Sequence, residues 1–149
     1  MTTLRLARPE DAAEIAALTR RAYQKWVAVI GREPLPMQID YVEALSRHRF
    51  DVLECAGQIV GLMETAPDGD HLLIENLAIQ PERQGQGLGE QLLRWAERLA
   101  AEIGLLGLRL YTNARFDDNI RYYERRGFVA ERRAPLKGGV VVYMTKTLV

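Results

Sequence analysis

Gln84-Gly85-Gln86-Gly87-Leu88-Gly89 stands between a mostly apolar run, residues 72–79, and a segment whose leucines recur at helical spacing. A helix start carries unpaired N–H groups and a partial positive charge, so it attracts anions. Glycine has no Cβ, which lets a phosphate approach those N–H groups and permits unusual backbone angles. Arg83 beside the turn adds a cation. The stretch therefore predicts a phosphate or pyrophosphate site built from main-chain amides. Two familiar phosphate-binding patterns do not fit it. A P-loop ends in Gly-Lys-Ser or Gly-Lys-Thr, which is absent here. A dinucleotide fingerprint starting at Gly85 and Gly87 requires glycine where the chain has Glu90, and it belongs near the start of a βαβ unit.

The flanking sequence alternates between strand and helix patterns. Downstream, Leu88, Leu92, Trp95, Leu99 and Ile103 form one face of a long helix, and Gly104 sits where a C-terminal stop belongs. Residues 107–112 read as a strand and 117–126 as a helix, with Gly127 as a left-handed cap and Phe128 packing back. Residues 128–133 and 140–147 read as a closing hairpin. Upstream, residues 72–79 are apolar enough for a central strand, and Pro67-Asp68-Gly69-Asp70 is a hairpin signal with Asp68-Gly69 as the turn. Residues 50–55 and 58–65 read as strands joined at Ala56-Gly57. A first strand (3–7), a helix opening at Pro9, a break at 31–36 and a second helix from about residue 38 to 47 complete the pattern. This order predicts one layered α/β (α+β) domain over residues 1–149.

Composition narrows the function. The 149 residues are 48% hydrophobic, enough for one core, and carry a formal net charge of +0. A neutral chain lacks the excess of cations that drives binding to nucleic acid, so no nucleic-acid partner is expected. No apolar run approaches the roughly 20 residues that span a bilayer, and the N-terminus has no signal-peptide pattern, so no membrane partner is expected. The single cysteine, Cys55, fits a reducing compartment, and a cytoplasmic location is expected. His48 and His71 stand far apart without cysteines near them, so no metal site is expected.

Glu75 and Asn76 interrupt the apolar strand. Burial raises a carboxyl pKa toward the range useful to a general base. Glu64 is a second candidate. With Asp68-Gly69 as a two-residue turn, Pro67 faces Asp70, Glu64 faces Leu73 and Leu62 faces Glu75. Glu64 and Glu75 would then be diagonal neighbours about 7–8 Å apart on one face, and a bulge would change that. On the later helix Ile120, Tyr123 and Gly127 share one side, while Tyr122 points elsewhere.

Gln84, Gly87 and Gly89 match the Gln/Arg-x-x-Gly-x-Gly/Ala signature for acetyl-CoA pyrophosphate, and Tyr123-Glu-Arg-Arg-Gly-Phe128 matches the usual end of the fourth helix. On these motifs and the element order the chain resembles the GCN5-related N-acetyltransferases. The resemblance implies a mixed, mostly antiparallel sheet of six or seven strands with helices on both faces. It implies acetyl-CoA as acyl donor and a primary amine, on a small molecule or a peptide terminus, as acceptor, with direct attack in a ternary complex. A non-catalytic coenzyme A-binding module and a transferase for longer acyl-CoA are the alternatives, and a homodimer is compatible with either. The resemblance gives Glu75 the role of base, with Glu64 or water as its rival, and Tyr123 the role of acid toward the leaving thiolate. It assigns Leu77, Ala78 and Ile79 to the pantetheine arm through main-chain atoms, Arg83, Gln84, Gly85, Gln86, Gly87, Leu88 and Gly89 to the pyrophosphate, and Asn113, Asn119 and Tyr122 to the cofactor. Between Asn113 and Asn119 the choice stays open. Trp26, Met37 and Tyr41 fall in the region that forms the acceptor pocket.

Overall fold

In the computed structural model, which describes residues 1–148, the strands are β1 (Thr3–Leu6), β2 (Arg49–Cys55), β3 (Gln58–Asp68), β4 (His71–Ile79), β5 (Gly107–Asn113), β6 (Val129–Leu136) and β7 (Gly139–Thr147). They form one sheet in the order β1-β2-β3-β4-β5-β7-β6. Three of its connections are two-residue turns. Ala56-Gly57 and Lys137-Gly138 both take positive φ at each position, as type I′ turns require. Such turns enforce antiparallel neighbours, whereas β4 and β5 run parallel because a helix crosses between them.

The helices are α1 (Ala12–Ile30), α2 (Tyr41–Arg47), α3 (Leu88–Glu102) and α4 (Asp117–Glu124). On one sheet face Ile15, Leu18 and Ala22 of α1 and Ala44 of α2 pack on Phe50, Val52, Leu62 and Ala78. On the other, Leu88, Leu92, Leu93, Ala96 and Ala100 of α3 pack on Leu53, Val60, Met63, Ile74 and Leu108. The helical stripe expected from the sequence holds through Leu99. Ile103 lies beyond the last helical residue and is 58% exposed. The second helix begins at Tyr41 instead of near residue 38, because the Asp40 carboxylate accepts the N–H groups of Val42 (3.0 Å) and Glu43 (3.3 Å) as an N-cap. No helix among the described residues is long and apolar enough to cross a membrane.

The register of the β3–β4 hairpin corrects the expectation. Asp68 pairs with His71, so the turn is Gly69-Asp70 and not Asp68-Gly69. The pairing then slips between Glu64 and Thr65. Thr65 faces Ile74, while Glu64 faces Asn76 instead of Leu73. Glu75 is the extra residue of this bulge. Period-two alternation restarts after it, so Ile74 belongs to the α3-side core while Asn76 and Ala78 turn toward α1 and α2.

The bulge coincides with a splay in the sheet. β4 pairs with β5 only from His71–Gly107 to Ile74–Leu110. Beyond it β5 continues to Asn113 against β7 alone. A gap therefore opens between residues 75–79 and residues 111–113, leaving main-chain groups of both strands without a strand partner.

Candidate active site

The glycine turn lies at the loop-side end of this gap. Gly85 (φ +81°) and Gly87 (φ +83°) occupy left-handed backbone that a side chain would strain. The first bond of α3 runs from the Gln91 N–H to the Gly87 carbonyl at 3.0 Å. The N–H groups of Leu88, Gly89 and Glu90 are thus the unpaired donors of the helix start. Among the described residues the N–H groups of Gly85, Gln86 and Gly87 also donate to no backbone carbonyl. The Gln84 side chain bonds the Ile79 carbonyl at 3.3 Å and ties the turn to the end of β4. A cavity of about 620 Å³ in front of the turn is lined by Leu77, Ala78, Ile79, Gln84, Gly85, Gly87, Leu88 and Gly89, with four cations, Lys25, Arg83, Arg125 and Arg126, against two carboxylates, Glu90 and Asp118. Amide donors and cations of this kind suit a pyrophosphate.

A second cavity, about 300 Å³, opens on the α1–α2 side of the gap. Glu64 and Glu75 both line it, so the bulge brings the two carboxylates to one space by a route other than the expected register. Glu64 is 5% exposed, and burial pushes its carboxyl above the usual carboxylate range, opposed by a 2.6 Å bond to His48 Nδ1. Glu75 is half-buried and accepts the Tyr111 hydroxyl at 3.3 Å. Asn76 is fully engaged. It accepts the Tyr23 hydroxyl (3.0 Å) and donates to Tyr41 Oη (3.2 Å) and Thr19 Oγ1 (3.3 Å). Burial raises the phenols of Tyr23, Tyr41 and Tyr111 above their ordinary pKa, so they remain protonated at neutral pH. The Leu77 N–H faces the Tyr23 hydroxyl and partly offsets that rise.

Tyr123 joins the two cavities; Tyr23, Leu77, Asn119 and Tyr123 line both. Its placement follows from the residues after it. Gly127 at φ +93° closes the turn after the helix, and the Phe128 N–H returns to the Tyr123 carbonyl at 3.1 Å, a Schellman-type closure. The Phe128 ring then meets the Tyr123 ring edge-on at 5.6 Å. Burial raises the Tyr123 phenol, which keeps its proton available. Among the described residues no side chain or backbone group hydrogen-bonds its hydroxyl.

The remaining candidates separate. Tyr41 lines the acceptor-side cavity and donates to the Pro36 carbonyl at 2.7 Å. Trp26 stacks on Phe116 at 4.3 Å and lines the loop-side cavity, not the acceptor side. Met37 is 6% exposed and lines neither cavity, because its side chain turns into the core while Pro34, Leu35, Pro36 and Ile39 face the opening. Asn113 lines only the acceptor-side cavity and accepts the Arg115 N–H at 2.9 Å, whereas Asn119 reaches both cavities. Tyr122 lies against the glycine turn, with Arg126 over its ring at 3.5 Å. Sequence reasoning missed Tyr23, His48 and Tyr111. Only His48 had a signal: counting back from the Ala56-Gly57 turn brings Glu64 opposite residue 49 or 50, beside His48. Among the described residues no group of three or more histidine, cysteine, aspartate or glutamate side chains is arranged to hold a metal ion.

Comparison with known proteins agrees with this geometry. Over 55 residues the chain is 40% identical to the aminoalkylphosphonate N-acetyltransferase of Salmonella typhimurium, covering 37% of this chain and 36%, about a third, of that relative's length. The PaiA N-acetyltransferase of Thermoplasma acidophilum, solved with coenzyme A, superposes with a TM-score of 0.85 at 20% identity over 99% of both chains. The ribosomal-protein-S18-alanine N-acetyltransferase of Escherichia coli superposes with a TM-score of 0.78 at 21% identity, over 99% of this chain and 94% of that one. The acetyltransferase (GNAT) domain family matches residues 46–130, a span that carries the glycine turn, the splayed strand and Tyr123, and the chain belongs to that family.

Proposed function

We propose that this protein transfers the acetyl group of acetyl-CoA to a primary amine, on a small molecule or a peptide terminus, in a ternary complex. One observation carries the reading: two cavities, one floored by free amides and cations and the other by carboxylates, meet at the β4–β5 gap with Tyr123 and Leu77 in their common wall. Such a wall brings donor and acceptor together, and orientation of that kind supplies much of a rate enhancement.

Acetyl-CoA in the loop-side cavity supplies a thioester whose carbonyl carbon bonds to the amine nitrogen as the carbon–sulfur bond breaks. The amides of residues 84–89 hold the pyrophosphate, and the unpaired edge of residues 77–79 receives the pantetheine arm as an added strand would be received. The Leu77 N–H, which faces the Tyr23 hydroxyl, turns to stabilise charge developing on the carbonyl oxygen once substrate is bound. The two carboxylates divide the acceptor's chemistry. Glu75 attracts the ammonium, and Glu64, whose raised pKa suits a base, accepts its proton. His48, hydrogen-bonded to Glu64 and 19% exposed at its side chain, relays that proton toward solvent. The Tyr123 hydroxyl gives a proton to the departing thiolate and is reprotonated as the acylated nitrogen loses its second proton. Cys55, the only cysteine in the sequence, supports a reducing compartment, and we assign the reaction to the cytoplasm.

The test is release of free thiol from acetyl-CoA across a panel of amines. Amine-dependent release that falls in Tyr123→Phe supports the account. A protein that binds coenzyme A yet releases no thiol with any amine would instead be a binding module.

A further inference from the structure

Two cations that the transfer chemistry does not use converge on the outer part of the acceptor-side cavity. Arg32 comes from the segment after α1 and Lys137 from the turn between β6 and β7, and both line the opening. The Arg32 guanidinium lies against the hairpin: its Nη2 stands 2.9 Å from where a Cβ on Gly139 would be, and the Asn113 Nδ2 stands 3.6 Å from the same point. The absence of a side chain at Gly139 makes room for this approach. Among the described residues neither Arg32 nor Lys137 forms an ion pair, whereas Arg47, a third cation lining the cavity, is bridged to Glu43 at 2.6 Å. In the same cavity Glu64 is buried and Glu75 half-buried, whereas Arg32 and Lys137 are exposed.

The cavity is thus polarised, with carboxylates inside and uncompensated cations at the mouth. An anion that reaches both cations is attracted by each, and among the described residues neither is already neutralised by a carboxylate. We infer that the acceptor is a small amine that carries its own anionic group. Its ammonium points at Glu75 and Glu64, and its carboxylate or phosphate-like group at Arg32 and Lys137. This rests on the transfer reading above and adds the substrate class. A guanidinium suits such an anion because it can donate two parallel hydrogen bonds.

The experiment compares thiol release for a series of ω-amino acids with that for alkylamines of the same carbon number, with aminoalkylphosphonates as a parallel arm that separates carboxylate from phosphate-like preference. In the wild type, kcat/KM for the best anionic amine should exceed that of its uncharged-tail partner by about tenfold or more, the size of one charge-assisted contact. In Arg32→Gln and Lys137→Gln this ratio should shrink, and in Arg32→Glu it should fall below one, through KM and not kcat. Raising ionic strength should reduce the wild-type ratio. Equal kcat/KM for the paired amines in the wild type, or an unchanged ratio in all three variants, would overturn the anion subsite and leave the transfer reading standing. Failure of every amine while calorimetry still records coenzyme A binding would overturn both.

Discussion

The hydroxyl of Tyr122 occupies the space that a side chain at Gly89 would need: an added Cβ would stand 2.5 Å from the Tyr122 oxygen and 3.5 Å from its ring carbon Cζ. Gly89 has ordinary helical backbone, so glycine serves here through its lack of bulk and not its conformational freedom. The ring cannot retreat freely, since Arg126 stacks over it at 3.5 Å and Tyr123 meets its edge at 5.3 Å. The third position of the glycine signature is thereby linked to the helix that carries the proposed acid.

Gly89→Ala should therefore displace Tyr122 into the loop-side cavity and weaken coenzyme A binding by about tenfold, the consequence of losing one good contact. Removing the obstructing oxygen should repair it. Gly89→Ala with Tyr122→Phe should recover most of the affinity by calorimetry, with Tyr122→Phe alone as the reference. A double variant as weak as Gly89→Ala would contradict the steric account.

Tyr123→Phe keeps the ring packed on Phe128 and removes only the proton. It should lower kcat by about a hundredfold or more, the usual worth of a positioned acid, and leave the affinity for coenzyme A unchanged. Steady-state kinetics with calorimetry check this. An equal fall in binding would mean that the hydroxyl holds the cofactor instead.

The raised carboxyl of Glu64 gives activity a direction with pH. Below its folded pKa the group is protonated and cannot accept a proton, so kcat should rise with pH along a limb lying above the ordinary value of 4.5. His48, Arg47 and Glu75 surround the group and set where that limb falls. Glu64→Gln should lower kcat and abolish the limb, while Glu75→Gln should act mainly on KM for the amine. Stability has the opposite sign. A raised folded pKa favours the protonated form, so its contribution is complete at low pH and is lost as pH rises through the folded value. Glu64→Gln should lose less melting temperature than the wild type as pH rises above the ordinary value of 4.5.

Asp11 tests the scaffold apart from the site. Its carboxylate is 7% exposed, accepts the Arg8 N–H at 2.7 Å and pairs with Arg5 at 2.9 Å, and Arg5 chiefly holds its pKa below the ordinary 3.8. That stabilisation is present above the unfolded value and is lost as pH falls through the folded one. Asp11→Asn should cost about 2 kcal/mol at neutral pH in chemical denaturation, the worth of hydrogen bonds to a charged group, since Arg5 keeps Glu54 as a partner. It should leave coenzyme A affinity unaltered.

The glycine turn and the Tyr123–Phe128 cap were legible in the sequence because each is local: spacing, glycine and the following helix lie within one short stretch. The hairpin register was not. Gly69 takes the first turn position with φ +62°, so the pairing begins at Asp68 and His71, and no composition rule announces the slip at Glu64. The bonds of Tyr23 to Asn76 and of Tyr111 to Glu75 join separate elements, so neither has a spacing signature. Met37 is a lining residue by position alone, and only the tight helical winding of the four residues Leu35–Gln38 decides that its neighbours face the opening instead.

A crystal structure with coenzyme A decides whether the glycine turn and the β4–β5 gap form one cofactor site. The pyrophosphate should lie on the N–H groups of residues 84–89, the pantetheine along residues 77–79 and the sulfur within reach of the Tyr123 hydroxyl. A nucleotide bound elsewhere, with the β4–β5 gap filled by protein, would contradict it.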